Sequence, residues 1–227
     1  GIGAGLLVGF GLRAVAGDVP MSFKSSPDVY KVIAENEHVR VVLATWKPGQ
    51  KDIAHSHPMA AVYTVKDCHR RIHKADGTVD EKQLKAGTGR INPPVKSHQF
   101  ENIGQAECQQ LLVERKLSGG KQVKSKDAAP PSFKASPELY KVIAENDDMR
   151  MVLTVLPPGL KDNMHSHPMT AVFTINDCHA RISTSDGKTR RVDNKAGSAR
   201  INPPVKAHTK QNIGKTECRH VLVELKK

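Results

Sequence analysis

Aromatic residues are scarce in this chain of 227 residues, where they make up 4% of the composition and include a single tryptophan. Acidic residues are also in the minority, since 35 Lys and Arg stand against 23 Asp and Glu and give a formal net charge of +12. A nucleic-acid-binding surface is typically a basic patch with interleaved aromatics or a recognisable motif, and the chain has neither. We therefore expect no specific nucleic-acid binding. The excess positive charge is interpreted as belonging to a solvated basic surface that favours anionic partners.

Long hydrophobic runs are also absent. The most apolar segment, "GIGAGLLVGFGLRAVAG" at residues 1–17, is interrupted by Arg13 and is shorter than the roughly 20 apolar residues of a transmembrane helix, so no such helix is predicted. Because Ala14-Val15-Ala16 is a small-x-small cleavage site, the segment is interpreted as part of a secretory signal, which predicts a periplasmic or extracellular protein. The alternatives are a cytoplasmic protein, or a retained arm at residues 1–21 that packs on its own or a neighbouring subunit.

The signatures of several enzyme classes are missing. The sequence contains no Gly-x-Ser-x-Gly elbow, no phosphate-binding loop and no cysteine in a triad-like arrangement. Whether the chain is an enzyme is left open by these absences.

The chain contains an internal repeat with an offset of 110 residues. "SFKSSPDVYKVIAEN" at residues 22–36 returns as "SFKASPELYKVIAEN" at 132–146, and "GRINPPVKSH" at 89–98 returns as "ARINPPVKAH" at 199–208. Between the copies, "LSGGKQVKSKDAAPP" has the composition of an exposed linker. We predict a first domain at 22–116, a linker at 117–131 and a second domain at 132–227.

Each copy has the pattern of an all-β domain. Short runs rich in β-branched and apolar residues, such as "VRVVLATW" and "CQQLLVER", are separated by turn signals such as "KPGQ" and "KADGT". About eight strands at this spacing predict a sandwich or a small barrel.

The most distinctive short motif is His-x-His, in "AHSHPM" at residues 54–59 and "MHSHPM" at 164–169. Side chains alternate along a strand, so two histidines one residue apart point the same way and form a two-point metal clamp. Met59, Ala61, Tyr63 and Val65 are predicted to follow on that face, and Met59 is interpreted as a core methionine there. The third ligand is expected from His98 or, in the second copy, from His208.

These residues resemble the two motifs of the cupin family. The first is a glycine, five residues and His-x-His, and "GQKDIAHSH" and "GLKDNMHSH" match it. In the second, a glycine is followed by a proline, a histidine and an asparagine, and the matching residues are Gly87, Pro93, His98 and Asn102 and their counterparts Gly197, Pro203, His208 and Asn212. The resemblance covers nearly all of both copies and implies two cupin jelly-roll domains in tandem, a bicupin.

One departure from the family changes the expected site. Cupins with the full ligand set carry a glutamate four or five residues after the second histidine, where this chain has Ala61 or Val62, and Ala171 or Val172. The ligand set implied by the resemblance is therefore three histidines per domain: His55, His57 and His98, and His165, His167 and His208. Such a set suits a divalent Zn, Cu, Fe, Ni or Mn ion and leaves its charge unneutralised, which favours an anionic ligand. The alternative is a relict site whose histidines are only hydrogen bonded.

Four cysteines complete the pattern. The strand order of a jelly-roll cupin implies that Cys68 lies near Cys108 and that Cys178 lies near Cys218, so one disulfide is expected in each copy, in agreement with export. The leading hypothesis is an exported metal-binding bicupin, a homo-oligomer that binds a small anionic molecule and supports oxygenase, lyase or isomerase chemistry if it is an enzyme. The competing hypothesis is a secreted structural protein that assembles through its N-terminal arm, with vestigial cupin sites.

Overall fold

The computed structural model describes residues 18–116 and 128–226. The apolar segment at residues 1–17, with its predicted cleavage site or arm, lies outside the described residues, as does most of the predicted linker. The domain boundaries therefore stay a prediction. In the described part of the chain, no helix has the length and apolar character needed to span a bilayer.

The first copy folds into one short helix and nine strands. They are α1 (Ser22–Ser25), β1 (Tyr30–Glu35), β2 (Val39–Trp46), β3 (His55–His57), β4 (Ala60–Lys66), β5 (Cys68–Lys74), β6 (Val79–Leu84), β7 (Gly89–Asn92), β8 (Val95–Asn102) and β9 (Cys108–Arg115).

The second copy repeats this order. Its elements are α2 (Ser132–Ala135), β10 (Tyr140–Glu145), β11 (Met149–Leu156), β12 (His165–His167), β13 (Thr170–Thr174), β14 (Cys178–Thr184), β15 (Thr189–Asn194), β16 (Ala199–Asn202), β17 (Val205–Asn212) and β18 (Cys218–Leu225).

Each copy is built from two antiparallel sheets. In the first copy a five-stranded sheet has the order β1-β2-β9-β4-β7 and a four-stranded sheet has the order β3-β8-β5-β6, and the second copy has the equivalent pair. The alternation along β2 sends Val42, Ala44 and Trp46 into the core between the two sheets. The predicted all-β fold with two jelly-roll domains is confirmed.

The first glycine of each cupin-like motif has a conformational reason to be glycine. Gly49 has φ 73° and Gly87 has φ 87°, and their counterparts Gly159 and Gly197 both have φ 77°. A residue with a Cβ rarely adopts this left-handed conformation. These glycines therefore allow the tight turns that lead into the strands around the histidines.

The two domains pack through the outer faces of their five-stranded sheets. Val41, Tyr63 and Leu111 of the first domain and Met151 and Phe173 of the second belong to one cluster of buried side chains. Since alternate residues of the same strands fill the core of each domain, β2, β4 and β9 are buried on both faces.

The predicted continuation of one face from the histidines to Met59, Ala61 and Tyr63 is wrong. β3 belongs to the four-stranded sheet and β4 to the five-stranded sheet, so the chain changes sheets between His57 and Ala60 and the alternation restarts. Ala60 and Val62 face the core of the first domain, whereas Ala61 and Tyr63 face the second domain. Met59 packs at the same domain interface, where Asn146 donates a hydrogen bond to its sulfur atom.

The predicted disulfides are confirmed. Cys68 is bonded to Cys108 and Cys178 to Cys218, and no described cysteine is free. Cys68 begins β5 and Cys108 begins β9, so the first bond joins the four-stranded sheet to the five-stranded sheet.

Candidate metal centres

Strand pairing brings the three predicted histidines of each domain together. β3 pairs with β8 so that His55 lies opposite His98, and β12 pairs with β17 so that His165 lies opposite His208. In each group the ligand atoms of the three imidazoles lie within 4.8 Å of one another. All six sequence-predicted histidines are thus found in two equivalent groups.

Hydrogen bonding sets the direction in which His55 presents its ring. Its Nδ1 atom lies 2.7 Å from the carbonyl oxygen of Ile53, and because a carbonyl only accepts, Nδ1 carries the hydrogen. The Nε2 atom therefore presents a lone pair, and it lies 2.9 Å from Nε2 of His98.

The second domain repeats this arrangement. His165 donates from Nδ1 to the carbonyl oxygen of Asn163 at 2.8 Å, and its Nε2 atom lies 3.0 Å from Nε2 of His167 and 2.9 Å from Nε2 of His208. Electron-rich nitrogen atoms this close together fit a shared cation, so the donor set suits a transition metal ion.

Burial keeps most of these imidazoles neutral. Burial, with a smaller contribution from the neighbouring imidazoles, lowers the pKa of His55 and His165 to about 4 and of His98 and His208 to about 3. Metal binding requires neutral imidazole. These four rings are therefore ready to bind a metal at pH 7 without losing a proton.

A buried carboxylate orients the third histidine of each group. Glu114 has no exposed surface, and its Oε1 atom accepts a hydrogen bond of 2.8 Å from Nδ1 of His57 while Oε2 accepts one of 3.2 Å from Arg40. Glu224 makes the equivalent contacts with His167 and Arg150. A carboxylate in this position fixes the ring and makes its other nitrogen more basic.

The glutamate of the full cupin ligand set is absent from its family position, but another acidic residue lies beside the histidines. Val62 faces the core of the domain, and Glu114 comes from the neighbouring strand β9, opposite Ala60. Glu114 contacts an imidazole nitrogen rather than joining the three Nε2 atoms. This contact was not predicted from the sequence, although an acidic residue within the apolar runs "LLVER" and "VLVEL" of both copies is a usable signal.

A tyrosine and an aspartate that were not predicted from the sequence also lie beside the histidines. The hydroxyl of Tyr30 donates to Oδ2 of Asp52 at 2.8 Å and lies 3.1 Å from Nε2 of His55. Tyr140 and Asp162 form the same hydrogen bond in the second domain. Burial raises the pKa of both tyrosines well above the usual value, so their hydroxyl groups stay protonated.

Each histidine group opens into a cavity. The first cavity has a volume of about 230 Å³ and is lined by His57, His98, Arg70 and Arg90 together with the aromatic rings of Tyr30, Trp46 and Phe100. The second has a volume of about 200 Å³ and is lined by His167 and His208, by Arg190, Arg200 and Lys210, and by other side chains that include His220.

The cavity walls carry buried positive groups. Burial lowers the pKa of Arg90 to about 10, which leaves this side chain charged at pH 7. Burial also lowers the pKa of Lys210 to about 7. Buried cationic donors beside a metal-type ligand set suit a small anionic molecule.

No protein-family model matches the chain, and no curated protein matches its sequence. Solved structures do match it. A variant of oxalate decarboxylase from Bacillus subtilis aligns at 15% identity with a TM-score of 0.61, covering 93% of this chain and 78% of that protein. AerE from Microcystis aeruginosa aligns at 17% identity with a TM-score of 0.57, covering 87% of this chain and 97% of that protein. With these neighbours, the repeated jelly roll and the two histidine groups, the chain has the fold of a bicupin.

Proposed function

We propose that each domain binds one divalent transition metal ion, through His55, His57 and His98 in the first domain and His165, His167 and His208 in the second. The observation that carries the proposal is the convergence of imidazole nitrogens in both copies. Outer hydrogen bonds orient these rings: a carbonyl group accepts from Nδ1 of His55 and of His165, and a carboxylate accepts from Nδ1 of His57 and of His167. A relict site has no need to keep these outer contacts in both copies.

The donor set limits the choice of metal without naming one. Three imidazoles accept Zn, Cu, Fe, Ni or Mn. Mn(II) centres have been studied in the oxalate decarboxylase of Bacillus subtilis, which shares this fold at 15% identity.

We further propose that the cavities bind small anionic molecules. Three neutral imidazoles do not neutralise a divalent ion, and the arginines of both cavities add positive charge. A bound divalent ion would supply Lewis acidity to a ligand in its open positions. The chain's own contribution is to orient the rings through Glu114 and Glu224, to hold a protonated hydroxyl at Tyr30 and Tyr140, and to attract the anion through Arg90 and Arg200. Oxygenase, lyase or isomerase chemistry is the class of activity that this arrangement supports.

The compartment is part of the proposal. Two disulfides support an oxidising environment, and hence export to the periplasm or the extracellular space. The homo-oligomer stays a prediction. The competing structural role depends on residues 1–17, which lie outside the described residues, and no contact among the described residues favours it.

The ligand set can be tested by electron paramagnetic resonance of the full chain loaded with Cu(II). We expect nitrogen hyperfine coupling from histidine in both domains. His57→Ala should reduce it in the first domain and His167→Ala in the second, because each variant removes one of three imidazole ligands. His69→Ala is the matched control, because His69 is hydrogen bonded to Glu81 and does not line the first cavity. A Cu(II) signal without histidine coupling, or one unaffected by His57→Ala and His167→Ala, would reject the proposed ligands.

A further inference from the structure

The two cavities have different linings although the two domains share one backbone fold. Four lining positions of the second domain are polar where the first domain has apolar residues or an amide: Thr154 for Ala44, Asn194 for Leu84, Lys210 for Phe100 and His220 for Gln110. A fifth position reverses its charge, because Arg190 replaces Asp80.

The largest of these differences is Lys210 in the place of Phe100. Only 9% of the surface of Lys210 is exposed, and its Nζ atom lies 3.2 Å from Nδ1 of His220. No carboxylate among the described residues forms an ion pair with Lys210, Arg190 or Arg200, and Arg200 donates to the neutral Oδ1 atom of Asn194 at 2.7 Å. Once Lys210 has donated one hydrogen bond to His220, the amino group keeps at least one hydrogen to donate in either protonation state.

Two further polar groups in this cavity have no partner. Nδ2 of Asn194 and Oγ1 of Thr154 are buried without a hydrogen bond, and both residues line the cavity. Their side chains are 8% and 1% exposed. A buried polar group without a partner costs free energy, so these groups indicate a ligand with several acceptor atoms.

The first cavity has fewer unpaired charges, and none of its lining residues has an unpartnered buried polar side-chain atom. The ring of Phe100 stacks on Trp46 with 3.9 Å between centroids, in the place where the second domain has Lys210 and Leu156. Arg70 is paired with Asp80 at 2.8 Å. Arg90, which donates to Gln110, is therefore the one cation lining this cavity that is not paired with a carboxylate.

We propose that the two cavities bind different ligands: the second domain binds a small polyanion through Lys210, Arg190, Arg200 and Asn194, and the first domain binds a ligand with a single anionic group and an apolar body. The inference rests on the proposed function insofar as both cavities are taken as anion sites beside the histidine groups. The shared chemistry of the polyanion is a set of several anionic oxygen atoms, from either carboxylates or phosphate.

The test is calorimetric titration of the full chain at pH 7, both metal-free and loaded with Zn(II), with malonate, inorganic phosphate and acetate as probes. Lys210→Met removes the amino group and keeps the length of the side chain, and Phe100→Met is the matched control at the equivalent position. We expect Lys210→Met to weaken binding of malonate or phosphate by about tenfold or more, because hydrogen bonds to charged groups are lost. Phe100→Met should leave this affinity within about twofold, because Phe100 lines only the first cavity.

If malonate binding depends on Lys210, the anionic oxygens of the ligand come from carboxylates; if phosphate binding depends on it, they come from phosphate. Either result supports the inference. The inference would be overturned if the native chain and Lys210→Met bound the probes equally well, or if the native chain bound neither malonate nor phosphate. It would also be overturned if Lys210→Met weakened acetate binding as much as malonate binding. Thermal unfolding and Zn(II) uptake of each variant show whether the fold is kept. A native chain that takes up no Zn(II), but binds malonate through Lys210 when metal-free, would reject the metal centres and leave this inference standing.

Discussion

The Nδ1 atom of His57 lies 2.8 Å from Oε1 of Glu114, a carboxylate with no exposed surface that also accepts a hydrogen bond from Arg40. The same relationship joins His167 to Glu224 in the second domain. Each domain thus lacks an acidic residue at the cupin ligand position, but a different acidic residue accepts a hydrogen bond from Nδ1 of one of the histidines. This contact lets the metal proposal be tested without touching a ligand.

Glu114→Gln should weaken metal binding by the first domain. The amide can still accept the hydrogen bond from His57 but carries no charge, so the ring is less basic, and we expect a loss of about tenfold in Zn(II) affinity. Competition titration with a chelator measures it. Glu107→Gln is the control, because Glu107 is exposed and pairs with Lys66. Unchanged affinity in Glu114→Gln would show that the contact has no role in metal binding.

The metal-free protein should lose stability as the pH falls from about 6.5 toward 5. The pKa values of His55 and His98 are about 4 and about 3 in the folded chain, below the roughly 6.5 of an unfolded histidine. Within this window the unfolded state binds more protons than the folded state, so the free energy of unfolding falls as the pH is lowered. Urea denaturation at pH 7.5, 6 and 5 measures the slope. The slope should be smaller in His98→Gln, and a flat profile in the native chain would contradict the buried, neutral state of these rings.

The disulfides should contribute substantially to stability. Each closes a loop with a sequence separation of 40 residues, and loss of one bond is expected to cost about 4 kcal/mol on the chain-entropy estimate. Urea denaturation of the double variant Cys68→Ala with Cys108→Ala, compared with Cys178→Ala with Cys218→Ala, measures each contribution. Mass spectrometry after alkylation in denaturant without reductant should show no modified cysteine. Four alkylated cysteines would contradict both bonds.

The domain interface should not accept a methyl group at Gly89. A Cβ there would lie 2.6 Å from Sδ of Met151 and 2.9 Å from Cδ1 of Ile143, both in the second domain. The counterpart of Gly89 is Ala199, and the counterpart of Met151 is the shorter Val41, so the opposite side of the interface already holds an alanine.

We expect Gly89→Ala to lower the free energy of unfolding by about 1–3 kcal/mol, the usual range for overpacking a core. Combining it with Met151→Val should restore part of this loss, because the pair then matches Ala199 and Val41. A double-mutant cycle by urea denaturation measures the coupling. If the effects of Gly89→Ala and Met151→Val simply add, the two residues do not contact each other as the interface requires.

Repetition within the sequence predicted most of the fold. The first residues of every pair of equivalent strands are 110 positions apart, and the histidines at 55, 57 and 98 meet as the cupin resemblance implies. The cysteines were paired correctly for the same reason, since the strand order of a jelly roll fixes which strand ends lie close together.

The sequence did not reveal what surrounds the histidines. Glu114 and Tyr30 are distant in sequence from the histidines that they contact, and each contact forms only because the two sheets fold over one another. Asp52 lies three residues before His55, but nothing in the local pattern indicates its hydrogen bond with Tyr30. The predicted face of Met59 and Tyr63 was wrong because alternation holds only within a strand, and a change of sheet after His57 is not visible in the residue pattern.

The measurement that tests the account most directly is the number of metal ions bound per chain, determined by inductively coupled plasma mass spectrometry after equilibrium dialysis against Zn(II). The account predicts two ions per native chain, one in His55→Ala with His57→Ala, one in His165→Ala with His167→Ala, and none when all four substitutions are combined. Two ions should remain in the control His69→Ala. A native chain that retains no metal, or a stoichiometry that the fourfold variant leaves unchanged, would contradict the claim that the paired histidine groups are metal centres.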